Sequence, residues 1–388
     1  MEAKKYEIKK FPLDLDLETP KVLKQLAKSY RRLSELKGIA STIPNEEILI
    51  NSLSLQEARD SSSIENIITT QDEIFTASLN IKEAVVSSSA KEVLRYADAL
   101  KHGFKSVRKN KILTLNNIIE IQSILTESNS GFRSLPGTAL KNSSTNETVY
   151  TPPQSIDEIN SLMRNLEVFI NDDSISDLDP LVKLCLIHHQ FESIHPFYDG
   201  NGRTGRIINI LYLVLKDCAD LPILYLSRYI TNNKGEYYRL LQNVRDNGAW
   251  EDWILFILRG IEETSEETIF LVKQIVSLMQ STKIKMRECL GKRYSHEFLN
   301  NLFFHPYTKV EFIVDALDVN RKTASTYLEL LVENGCLEKQ KLGKSNFYVN
   351  KELYDLLFGF GERIKNMRKT EIKFYNVSKK SKFLDMKK

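Results

Sequence analysis

His195-Pro196-Phe197-Tyr198-Asp199-Gly200-Asn201-Gly202-Arg203-Thr204-Gly205-Arg206 places a base, a carboxylate, an amide, flexible glycines and two guanidinium groups in one short run. The residues that follow are apolar at helical spacing: Ile207, Ile210, Leu211, Val214 and Leu215 fall at i, i+3, i+4, i+7 and i+8. The glycines therefore open a helix whose first backbone N–H groups have no partner within it. Such an end carries partial positive charge and binds phosphate. Arg203 and Arg206, three apart on that helix, can add bidentate contacts to further phosphate oxygens. Asp199 is placed to hold a divalent cation, and His195 to take a proton from an attacking hydroxyl. The stretch predicts a nucleotide-phosphate site with a general base beside it.

Three blander readings compete. All of these residues form turns, yet two arginines early in a helix sit where the macrodipole disfavours cations unless an anion is bound there. A calcium loop of the EF-hand type fails because the spaced acidic ligands and the closing glutamate are missing. Zinc is suggested by His188, His189 and His195, but no cysteine pattern or His-Glu-x-x-His accompanies them. Adjacent histidines on a helix point apart, so His188 and His189 read as packing or hydrogen-bonding residues.

Residue for residue, the stretch resembles the active-site motif of the Fic family, His-x-Phe-x-Asp/Glu-Gly-Asn-Gly-Arg-x-x-Arg, with every fixed position present. Most members transfer AMP from ATP to a side-chain hydroxyl of a protein and release pyrophosphate. The resemblance implies ATP as substrate, Mg2+ as cofactor, His195 as the base and Asp199 as the metal ligand. It assigns Asn201 and the Gly200 and Gly202 amides to the α-phosphate, Arg203 and Arg206 to the β- and γ-phosphates, and Phe197 to anchoring the loop.

Upstream, Ser61-Ser62-Ser63-Ile64-Glu65-Asn66 matches the family's inhibitory pattern Ser/Thr-x-x-x-Glu-Gly/Asn. Ser61 and Glu65 lie i, i+4 and share a helix face. The resemblance implies that Glu65 pairs with Arg206, and an arginine engaged by a carboxylate is not free to grip the γ-phosphate. Between the motifs, Gly131-Phe132-Arg133 and a polar loop precede Thr148-Val149-Tyr150-Thr151, a β-branched and aromatic run ended by Pro152 and Pro153. This reads as one arm of a hairpin. The resemblance makes it the flap, with Thr148, Val149 and Tyr150 offering a strand edge to the target peptide. Tyr237 and Tyr238 sit where relatives carry tyrosines lining the adenine pocket, and rings can stack on a base. A family asparagine expected eight positions after the first tyrosine is Arg245 here, which leaves the base open between adenine, uracil and guanine. Trp250 and Trp253 read as core.

The rest of the chain bounds this reading. With 388 residues and 42% hydrophobic content it has material for two or three domains. No apolar run reaches the roughly 18 residues of a membrane helix, and the N-terminus lacks the apolar block of a signal peptide. The scattered Cys185, Cys218, Cys289 and Cys336 read as reduced, which suits a cytoplasmic home and no membrane partner. Helical patterning runs from about residue 20 to 285. Asp179-Pro180 is an N-cap and first helical position, and a long helix is expected from Glu262 to Cys289.

Beyond it, Thr308-Lys309-Val310-Glu311 reads as a capping box and Asp318-Val319-Asn320 as a turn. A helix over Arg321–Asn334 and two short strands around Gly343-Lys344-Ser345 follow. This order resembles a winged helix, with Arg321, Lys322, Ser325 and Thr326 facing DNA. Its charge is nearly balanced, eight Lys and Arg against seven acidic residues over 292–350, whereas 363–388 carries ten against two.

The expected fold is mainly α: a Fic-type helical core with a β-hairpin flap and a C-terminal winged helix-turn-helix. Its expected divisions are an N-terminal helical region with the inhibitory motif (1–115), a catalytic core (116–285), the winged helix (286–356) and a basic tail (357–388). The function expected is a protein adenylyltransferase restrained by Glu65. Its expected partners are a protein substrate, the chain itself included, with a homodimer compatible. The alternative is a DNA-binding regulator with a nucleotide-sensing core.

Overall fold

The computed structural model describes residues 6–78, 86–141, 145–342 and 345–358. The basic run 363–388, part of the polar loop before the flap strand (142–144) and the turn residues Gly343-Lys344 lie outside them. The chain divides into two compact units, Met1–Ile269 and Phe270–Lys388.

The first unit is helical, as the periodicity predicted. Its helices are α1 (Pro20–Ala40), α2 (Glu46–Ile64), α3 (Gln71–Ser78), α4 (Ser88–Asn110), α5 (Leu115–Thr126), α6 (Ile156–Asn171), α7 (Pro180–Ile194), α8 (Asn201–Leu215), α9 (Leu226–Asn232) and α10 (Lys234–Asn247). Strands β1 (Leu140–Lys141) and β2 (Thr148–Tyr150) pair antiparallel between α5 and α6. The helix α11 (Trp250–Leu290) carries the chain into the second unit. It begins well before the expected Glu262. After the acidic Glu251 and Asp252 of its first turn, Trp253, Ile254, Leu255, Phe256, Ile257 and Leu258 are all buried, so this stretch is apolar all round and shows no amphipathic stripe to read.

Two helices position the site. Asp179 caps α7 through its side chain, which accepts the Leu181 N–H at 2.8 Å, and Pro180 follows at the first helical position. Every residue from Leu181 to Ile194 is buried. Helix α8 packs on α7, α4 and α5 and is buried from Arg203 to Val214. Gly103 of α4 admits it closely, since a Cβ there would stand 2.6 Å from Leu211 Cδ1. Helix α2 lies against α4 and α9.

The second unit holds α12 (His296–Phe304), β3 (Tyr307–Thr308), α13 (Val310–Leu317), α14 (Arg321–Glu333), β4 (Glu338–Leu342), β5 (Ser345–Val349) and α15 (Lys351–Phe358). The three strands form an antiparallel sheet in the order β3-β5-β4. The helix, turn, helix and hairpin read from the sequence are all present, with Ile313, Ala324, Leu328, Leu331 and Phe347 in the core. The capping box at Thr308–Glu311 does not form: Lys309 is the N-cap and has no side-chain cap. Thr308 is drawn into β3 opposite Tyr348, and its hydroxyl donates to Asn301 Oδ1 at 3.0 Å. No helix among the described residues is long and apolar enough to cross a membrane.

Candidate active site

The loop between α7 and α8 is built by its own side chains. His195 ends α7 in the left-handed region at φ 50°, its N–H donating to the Phe191 carbonyl at 2.9 Å. A non-glycine residue there is held by its surroundings. The main support is Arg133, whose Nε donates to the His195 carbonyl at 2.8 Å and whose Nη2 reaches the carbonyls of Ile194 and Pro153. Phe197 is fully buried against Phe132 and Phe191 and anchors the loop. Asn201 closes it: Oδ1 accepts the Phe197 N–H and Nδ2 donates to the Phe197 carbonyl, both at 2.8 Å. The Asn201 side chain is thus occupied within the loop, and what it offers an anion is its backbone N–H. Gly200, at φ 78°, leaves no room for a Cβ, which would meet Thr126 Cγ2 at 2.8 Å.

A cavity of about 820 Å³ opens beside this loop, lined by His195, Gly202, Arg206, Glu65, Tyr238 and Tyr150 among others. Arg206 is buried, and its guanidinium is held on several atoms. Nε donates to Ser61 Oγ at 2.7 Å, while Nη2 donates to the Ser61 carbonyl at 3.1 Å and to Glu65 Oε1 at 2.9 Å. Glu65 and Arg206, 141 residues apart in sequence, thus meet as the resemblance implied. Burial works against the Glu65 carboxylate, but Arg206 outweighs it and holds the group below its usual range. A Cβ on Gly202 would collide with that carboxylate. Asn66 stands at φ 63°, a left-handed position that glycine or asparagine tolerates, which is a physical reason for the Gly/Asn end of the pattern.

Burial first, then the Arg133 and Arg245 guanidiniums, push the His195 imidazole down to about 4, so it is neutral and able to accept a proton at ordinary pH. Glu192, one turn before His195, carries no motif that marks it in the sequence. Its carboxyl lines the cavity and is pushed up to about 7 by burial, and its Oε1 has no hydrogen-bond partner among the described residues. The tyrosines divide. Tyr237 is buried, its hydroxyl paired with His188 Nε2 at 2.9 Å, whereas Tyr238 is 43% exposed at the cavity. His189 Nε2 bonds to the Leu241 carbonyl at 3.2 Å, and Trp250 and Trp253 pack against the two histidines.

Asp199 and Arg203 are not among the residues lining this cavity. Asp199 has an exposed carboxylate whose Oδ1 accepts the Gly200 N–H at 2.7 Å and faces Arg203 Nη2 at 3.4 Å. Arg203 is buried and ion-paired with Glu92 of α4, a partner 111 residues upstream that no local spacing could reveal. On the flap, Thr148 and Val149 are exposed, while Tyr150 turns inward and its hydroxyl donates to the Ser193 carbonyl at 2.9 Å. In the second unit, Arg321 is paired with Glu311 at 2.5 Å, and the Thr326 hydroxyl donates to the Lys322 carbonyl of its own helix.

The Fic/DOC family N-terminal model matches residues 23–105 and the Fic/DOC family model 112–213. A model described as the C-terminal domain of SoFic-like protein adenylyltransferases matches 278–353. The protein adenylyltransferase Fic of Drosophila erecta is 31% identical over 124 residues, 31% of this chain and 24% of that protein. The protein adenylyltransferase fic-1 of Caenorhabditis elegans is 25% identical over 121 residues, 31% of this chain and 22% of that protein. The matched part is thus about a quarter of the length of these curated relatives. Among solved structures, a Fic family protein from Desulfovibrio desulfuricans superposes with a TM-score of 0.56 at 19% identity, covering 87% of this chain and 98% of that one. Fic-1 (residues 134–508) of C. elegans gives 0.52 at 18% identity, covering 66% of this chain and 75% of that one. Matched by family models over three successive stretches and sharing this helical fold, the chain belongs to the Fic family.

Proposed function

We propose that this chain transfers the AMP moiety of ATP to a protein hydroxyl, releasing pyrophosphate, and that Glu65 restrains the reaction. The observation that carries this is the grip on Arg206. A buried guanidinium stands in a cavity beside a neutral imidazole and a helix N-terminus, with its charge taken up by one displaceable carboxylate. The curated relatives named as protein adenylyltransferases support the choice of AMP.

In the proposed step the target hydroxyl oxygen attacks the α-phosphorus in line, and its proton passes to His195. The bond from the α-phosphorus to the oxygen bridging toward the β-phosphate breaks, and pyrophosphate leaves with that electron pair. Backbone N–H groups in the first turn of α8 offset charge on the transferred phosphate, and Arg206 holds the terminal one. Mg2+ keeps several waters and needs only one or two carboxylates beside substrate phosphates. Asp199, exposed at the head of α8, fits that demand, and an ion held there would offset phosphate charge. The target peptide adds to the flap edge, its modified residue being tyrosine, threonine or serine. The DNA-binding alternative has less behind it, because residues 292–350 carry eight Lys and Arg against seven acidic residues, not the basic face of a phosphate binder.

The test compares wild type, Glu65→Gly and His195→Ala with magnesium and ATP labelled at the α- or γ-phosphate, with cell lysate as acceptor. Protein-bound α-label alone, strongest in Glu65→Gly and absent in His195→Ala, is the expected result. Bound γ-label would mean phosphate transfer, and no label in any sample would overturn the reading.

A further inference from the structure

Arg245 is a buried charged group of the cavity wall that the proposed chemistry leaves without a task. It is 8% exposed, and no carboxylate among the described residues lies within ion-pair distance of it. Burial accordingly lowers its affinity for a proton. A buried cation without a counter-charge is costly, so its surroundings must engage it otherwise. They do so at the flap. The guanidinium carbon lies 4.0 Å from the centroid of the Tyr150 ring, the inward residue of β2. Nε donates to Ser193 Oγ at 3.1 Å and Nη1 to Gln242 Oε1 at 3.2 Å. Tyr150 meets the same serine, its hydroxyl donating to the Ser193 carbonyl at 2.9 Å. Ser193 lies two residues before His195. One planar group therefore ties the flap strand, the helix that delivers the base and helix α10 to a single point.

We propose that Arg245 is a positioning residue for the flap: stacked on Tyr150 and hydrogen-bonded to Ser193, it fixes the β1–β2 hairpin relative to His195. The function follows from the planar fork, which lysine lacks. In its consequence for transfer the proposal rests on the AMP-transfer reading; in its structural claim it does not. At this position, where the family resemblance led us to expect an asparagine of the base pocket, the guanidinium is turned to the flap.

Two measurements on the full chain separate these levels. Amide hydrogen exchange of wild type, Arg245→Lys and Arg245→Met reads the hairpin without any catalysis. Exchange in peptides spanning β1 and β2 should accelerate at least tenfold in Arg245→Met and nearly as much in Arg245→Lys, with α8 unchanged. Hairpin exchange at the wild-type rate in both variants would overturn the proposal, as would acceleration across α8 as well. Then, in the Glu65→Gly background, α-labelled ATP is followed into protein and into free AMP formed by hydrolysis, which needs no flap. Arg245→Met should reduce protein labelling at least tenfold more than hydrolysis. Equal falls in both would overturn the link to target positioning. Absence of both products in the Glu65→Gly parent would count against AMP transfer, and the exchange result would still decide the clamp.

Discussion

Glu65 and an incoming phosphate compete for one guanidinium, and the size of the contest can be bounded. A hydrogen bond to a charged group contributes about 1.5–3 kcal/mol, which corresponds to roughly 10–150-fold in an equilibrium. Glu65→Gly should therefore raise initial transfer rates about 10–100-fold, read with α-labelled ATP, by an amount set by that one contact. Glu65→Gln keeps an oxygen able to accept from Arg206 Nη2 but loses the charge, so its rate should fall between the two. A Gln variant as slow as wild type would show that geometry alone, without charge, enforces the restraint. The neighbouring residue tests the backbone. At φ 63°, Asn66→Gly should leave stability almost unchanged, whereas Asn66→Ala should cost about 1–2 kcal/mol by urea denaturation. An alanine variant as stable as wild type would mean that the turn relaxes out of the left-handed region.

Helix α2 presents Glu65 to Arg206, and polar contacts join its buried Ile48, Leu49, Leu53, Ala58 and Ile64 in holding it. Asp60 pairs with Arg228 at 3.0 Å, Gln56 accepts from Arg228 at 3.0 Å, and buried Glu57 takes the Ser227 N–H and hydroxyl together with the Tyr96 hydroxyl. Breaking a buried pair by removing one partner costs about 3–5 kcal/mol. Arg228→Met should therefore both destabilise the chain and let α2 drift, raising basal transfer by less than Glu65→Gly does. Loss of stability with unchanged basal transfer would show that α2 stays seated without this anchor. The same polar burial explains which elements were legible. Helices α7 and α8 could be read from Asp179-Pro180 and from an apolar repeat, because caps and periodicity are local. The inhibitory motif could be located only by its pattern, because Ser227 and Arg228, which help to hold α2, are 168–172 residues downstream. Glu92, Glu192 and the work of Arg133 had no local signal at all. The start of α11 shows no stripe for the opposite reason, burial all round over Trp253–Leu258, and the capping box at Thr308 fails because its backbone joins β3 and its hydroxyl bonds Asn301 of α12.

At the scale of the whole chain, the site's buried groups set how folding responds to pH, and they pull in opposite directions. Burial depresses three imidazoles: His195 to about 4, His188 to about 3, and His189 well below the ordinary value. Near pH 5.5 each is neutral when folded and protonated when unfolded, so unfolding takes up about three protons and their stability is lost as pH falls below about 6.5. Burial raises Glu57 and Glu192 to about 7. In the same window each is protonated when folded and ionised when unfolded, so unfolding releases about two protons and their stability is lost as pH rises toward 7. The net uptake is about one proton, which makes stability rise with pH by about 1.4 kcal/mol per unit between roughly pH 5 and 6. Removing one titrating carboxyl while keeping its shape shifts that balance. Glu192→Gln should bring the uptake to about two protons and double the slope. Both tryptophans, Trp250 and Trp253, lie in the first unit, so their fluorescence during urea unfolding at a series of pH values reports that unit alone. A slope left unchanged by Glu192→Gln would mean that Glu192 is ionised in the folded protein. Arg206 would then sit between two carboxylates, and withdrawing Glu65 would still leave it partly neutralised.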